Sequence, residues 1–69
     1  MEHVWYRDDQ GCWTTEYRGS VLTVMARSGA WSWEASVNGD LMRRGAETTY
    51  HLAKIAAKKA AEAIADKGA

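Results

Sequence analysis

The residues of this 69-residue chain that could carry acid–base, nucleophilic or metal chemistry are two histidines, one cysteine and nine acidic side chains. His3 sits near the N-terminus and His51 in a helical stretch, and neither has a carboxylate at a spacing that suggests a proton relay. Cys12 stands beside a turn with no partner base to activate it, which reads as a structural thiol. One Cys and two distant His offer no metal-ligand spacing. The acidic pair Asp8-Asp9 runs into Gln10-Gly11 and reads as a turn. Gly19, Gly29, Gly39 and Gly45 are spread along the chain, each marking a turn rather than a phosphate-cradling loop. The expectation is a protein that is no enzyme, with no catalytic residue, no cofactor and no metal.

Charge and aromatic surface remain. Arg43, Arg44, His51, Lys54 and Lys58 are the candidate residues for binding a partner or nucleic acid. Lys54 and Lys58 are like charges at i,i+4, which costs a few tenths of a kcal/mol unless something offsets it. The cluster reads either as a solvated helix face or as a patch that contacts phosphates or acidic groups. Trp31 and Trp33 alternate with small polar residues and read as core packing; the alternative is an aromatic surface that stacks on bases or on a partner. Of Trp5 and Tyr6, one is expected to stay exposed as an anchor.

Strands come first and a helix last. Trp31, Trp33, Ala35 and Val37 alternate with Ser32, Glu34 and Ser36, a period of two. Val21–Ala26 is apolar and β-branched, with Ser28-Gly29 as the turn between the two. Asn38-Gly39 is a strong hairpin signal, returning the chain along Leu41–Arg44. Trp13, Thr15 and Tyr17 predict another strand, and Val4–Arg7 a short leading one. From Thr49 the period becomes helical: a threonine N-cap opens a run of good helix formers to Lys67, and Gly68 stops it. Leu52, Ala53, Ala56, Ala57, Ala60, Ala63 and Ile64 fall on one face, His51, Lys54 and Lys58 on the other. Small helix residues match large sheet residues, so the helix should lie on the sheet. The predicted fold is α+β: an antiparallel meander of three to five strands within 4–45, packed on one helix at about 49–67, a single domain over 1–69. Glu16 and Glu34 should point to the open side of the sheet, and Lys54 and Lys58 away from it. Reversing the charge of those two lysines is then expected to abolish binding and leave the fold intact.

Composition sets the class. Apolar residues are 46% of the chain and charged ones 26%, the balance of an ordinary globular domain. No apolar run approaches the roughly 18–20 residues needed to span a bilayer, and no signal-peptide pattern opens the chain. No membrane partner is expected. A lone cysteine cannot form an internal disulfide, which makes the cytoplasm the expected home. Nine basic residues balance nine acidic ones, so no global excess advertises nucleic-acid binding. The balance is uneven along the chain: residues 1–40 carry three basic against six acidic residues, and residues 41–69 six against three. With no proline to guard them, the sheet edges allow an edge-strand homodimer.

Two likenesses can be set on these residues. The run from Trp33 to Ile64, strand, Asn-Gly hairpin, strand ending in glycine and Ala-Lys-rich helix, resembles the second half of a double-stranded-RNA-binding domain. That resemblance implies phosphate contacts at the helix start, where Tyr50-His51-Leu52-Ala53-Lys54 keeps only Lys54 of the family's lysine run. The β-β-β-α order is also similar to the DNA-binding domains of phage-type integrases. The whole chain looks like small phage and bacterial proteins with a W-x-W-E…G…R-x-G…A-K-x-A-A pattern, a build some anti-CRISPR proteins share. This implies a non-enzymatic protein-interaction module, a phage-derived inhibitor in its sharpest form, with a protein partner. The alternative is a nucleic-acid-binding module using the basic patch.

Overall fold

A computed structural model describes residues 4–68; Glu2 and His3 lie outside them. Its order is β1 (Tyr6–Arg7), β2 (Trp13–Tyr17), β3 (Ser20–Arg27), β4 (Ala30–Val37), β5 (Asp40–Glu47) and α1 (Tyr50–Gly68). The strands form one antiparallel meander, β1-β2-β3-β4-β5, with the helix over β3, β4 and β5. This is the expected α+β two-layer fold.

Turn chemistry sets the meander. Arg18-Gly19 (φ 51° and 83°) and Asn38-Gly39 (φ 53° and 85°) both have positive φ at the two central positions. That combination defines a type I′ turn, whose twist suits a two-residue hairpin. The Asp8 carboxylate accepts hydrogen bonds from the backbone N–H of Gln10 and of Cys12, both at 2.9 Å. Asp8 is thus spent on the turn before β2. At the helix start, the Thr49 hydroxyl accepts the Leu52 N–H at 3.1 Å, the expected N-cap.

Two strand boundaries differ from those the sequence predicts. The leading strand shrinks to Tyr6–Arg7. The last strand runs through Glu47 instead of stopping at Arg44. Gly45 therefore lies inside a strand, opposite Trp33, and marks no turn. A β-bulge falls where Ala35 pairs Arg43 and Ser36 pairs Leu41, so Met42 is the extra residue in β5.

The core is small. Leu22, Ala35, Ala57, Ala60 and Ala61 form the buried cluster, with Trp5, Tyr17, Trp33 and Ile64 packed against its rim. Leu22 and Val24 are its largest fully buried apolar side chains. Trp31, expected in the core, is half-buried and lies against Tyr50, ring centroids 5.2 Å apart; Trp13 flanks the same ring at 5.8 Å. Tyr50 docked between these two rings turns the first helical turn. The inward face becomes Tyr50, Ala53, Ala57, Ala60, Ala61 and Ile64, and Leu52, expected inside, is left 45% exposed.

Candidate functional site

Lys54 and Lys58 are held by rings. Both are half-buried, on the flank of α1 that looks toward β1 and β2. The Lys54 Nζ lies 4.8 Å from the Tyr50 ring centroid and 5.5 Å from that of Trp5. The Lys58 Nζ lies 5.7 Å from the Tyr17 ring. One turn further, the Tyr17 hydroxyl donates to the Glu62 carboxylate at 2.8 Å. A cation over a ring face is attracted by the ring quadrupole, and the lysine stems cover apolar surface. The two lysines therefore do not point away from the sheet. They brace its near edge against the helix, and this offsets their mutual repulsion.

Reversing their charge therefore bears on the fold as well as on binding. Lys54→Glu with Lys58→Glu removes three cation–ring contacts and should cost about 1–2 kcal/mol. In so small a domain this lowers Tm by roughly 4–8 °C per kcal/mol, readable in a thermal melt followed by circular dichroism. An unchanged Tm would show that the lysines are free surface charges.

The other candidates lie elsewhere. His51 is exposed, its ring 5.8 Å from that of Tyr50. Arg43 pairs with Ala35 and so faces the helix side of β5, near Ile64 and Lys67. Arg44 pairs with Glu34 and faces the open side, two opposite charges across one strand gap. The five residues expected in one patch are thus split between the β2 flank of the helix and the two faces of β5. Consecutive strand residues point to opposite faces, so Arg43 and Arg44 could not share a surface.

The uncovered side of the sheet carries what sequence reading undervalued. Tyr6 is 69% exposed, Val21 39% and Leu41 49%. Val4, Tyr6, Thr14, Glu16 and Val21 line a shallow depression near the β1 edge. Met25, Ser32, Glu34 and Arg44 line another. Glu16 and Glu34 are on this face, as expected. The missed signal was the alternation of Val21, Thr23 and Met25 opposite the buried Leu22 and Val24.

Among the described residues no group of three His, Cys, Asp or Glu is placed to hold a metal ion. Cys12 is a half-buried free thiol whose backbone N–H and C=O are both bonded to Asp8. No helix among the described residues is long and apolar enough to cross a membrane. In comparisons with known proteins, no family model, no curated protein and no solved structure matches the chain, so its functional reading rests on this geometry.

Proposed function

We propose that this chain is a non-enzymatic protein-interaction module whose working face is the uncovered side of the sheet. The observation that carries this reading is the apolar surface of Val4, Tyr6, Val21 and Leu41 on a sheet face that no other described element covers. Exposed apolar residues rimmed by polar ones favour a protein partner, which can bury them; a phosphate backbone cannot. Arg27 and Arg44 are offset by Glu16 and Glu34 on the same face, which leaves no basic excess there to draw a phosphate backbone. An inhibitor of the anti-CRISPR type would be one such module, since it needs a binding face and no active site.

A second reading has its own observation. Lys54 stands over Trp5 and Tyr50, Trp13 and Trp31 pack against the Tyr50 ring, and Lys58 stands over Tyr17, a basic and aromatic flank of the kind that stacks and neutralises single-stranded nucleic acid.

Affinity capture from extract of the source cell, with and without nuclease, separates the two. Val21→Glu with Leu41→Glu should abolish capture of the partner while the melt stays unchanged, because both side chains face solvent. Capture by the parent chain should survive nuclease and rising salt. If nuclease removes the captured material, or binding falls steeply with salt, the open sheet is not the working face and the lysine flank is.

A further inference from the structure

The two sheet edges are not alike. β1 is two residues long, a short edge of the kind that resists pairing. β5 is eight residues long, contains no proline and has no neighbour beyond it among the described residues. The bulge at Met42 leaves Arg43–Glu47 as its regular stretch, and Gly45 is the middle residue of that stretch.

The charges on the stretch are self-complementary. Arg43 pairs with Ala35 and Glu47 with Trp31, so both side chains are on the helix side, one to each side of Gly45. A second copy laid antiparallel about a two-fold axis at Gly45 sets Arg43 opposite Glu47 of that copy, and Glu47 opposite its Arg43. Gly45 meets Gly45, and Arg44 meets Ala46. Opposed residues have Cβ atoms about 5 Å apart, close enough for the two ion pairs to form. Moving the axis by one residue to Arg44 opposes two arginines instead. No described residue forms an ion pair with Arg43 or Glu47 within the chain.

The helix completes the match. With Lys54 and Lys58 on the β2 flank, helical geometry puts Leu52, Ala56, Lys59 and Ala63 on the β5 shoulder, with Ile55 at the crest. Leu52 and Ile55 are 45% and 50% exposed. Each helix is centred over its β4, so the two axes would stand about three strand spacings apart, roughly 14 Å. That exceeds the 8–10 Å of direct helix contact by about the reach of a large aliphatic side chain from each copy.

We propose that β5 is a homodimer interface, pairing antiparallel with β5 of a second copy about Gly45 to make a ten-stranded sheet with both helices on one face. It uses the strand edge and helix shoulder and does not depend on the open-face reading.

Analytical ultracentrifugation of the full chain across micromolar concentrations tests it, with circular dichroism melts as the control for folding. The parent chain should be a dimer. Arg43→Glu and Glu47→Arg should each raise the dimer Kd by about tenfold or more. The double swap R43E/E47R should return to within a few fold of the parent, because the pairs re-form with reversed sign. Leu52→Lys, a solvent-facing change, should weaken the dimer without touching β5. A parent chain that stays monomeric overturns the proposal. So does a dimer indifferent to both swaps and to Leu52→Lys, or a folded double swap that stays as weak as the singles.

Discussion

Trp33→Ala should lose its cooperative thermal transition, while Trp31→Ala should keep one at a lower Tm. Trp33 packs against the rim of the Leu22–Ala35–Ala57 cluster and covers the gap between the alanine face of α1 and β5. Truncating a packed Trp costs about 3–5 kcal/mol. A single core in a chain this short supplies about that much in total. The alanine helix face has no side chain that could swing in and fill the hole. Trp31 leans on Tyr50 and is no part of that cluster, so its removal costs less. Trp33→Phe adds a finer check. The Trp33 indole N–H is buried and finds no acceptor among the described residues. Phe keeps most of the apolar ring and removes an unmet donor, whose burial costs about 1–3 kcal/mol. Trp33→Phe should therefore melt within a few degrees of the parent chain. If Trp33→Ala melts cooperatively near the parent Tm, the ring is a surface group and no part of the core.

The order of elements was legible because each rested on a local signal. The period-two run at Trp31–Val37, the Asn38-Gly39 turn and the Thr49 cap act within a few residues of themselves, and all are found where expected. What failed depended on distant partners. In sequence the helix face rests on apolarity alone, which ranks Leu52 above Tyr50. In the folded chain the rings of Trp13 and Trp31, from two different strands, converge on Tyr50 and set the rotation of the helix. The same rotation carries Lys54 and Lys58 down to the aromatic flank, where charge patterning alone would leave them in solvent. The candidate patch scattered for a similar reason. Arg43 and Arg44 are adjacent in sequence, and the pleat of a strand separates such neighbours. Gly45 looks like a turn in sequence because its role depends on Trp33, twelve positions earlier.

That pairing makes Gly45→Ala the sharper of the two core tests. A Cβ built on Gly45 would lie 2.8 Å from the Trp33 Cζ2 and 2.9 Å from Cε2 and Nε1. No real Cβ tolerates such distances, and the obstacle is a rigid ring wedged against the core, so the ring or the strand must shift. Over-packing of this kind costs about 1–3 kcal/mol. A strand glycine replaced by alanine without a clash would gain about 0.5–1 kcal/mol instead, because the unfolded chain is stiffened. The sign of the change therefore reports on the ring. Gly45→Ala should destabilise the parent chain and be neutral or stabilising once Trp33→Leu has shortened the side chain above it. The two substitutions should thus be coupled by more than about 1 kcal/mol in a double-mutant cycle, as touching residues are. The cycle should be run in denaturant titrations at concentrations low enough to exclude association, since Gly45 is also at the centre of the proposed dimer strand. Additive effects would mean that the Trp33 ring does not rest on Gly45, and that β5 tolerates a side chain at that position.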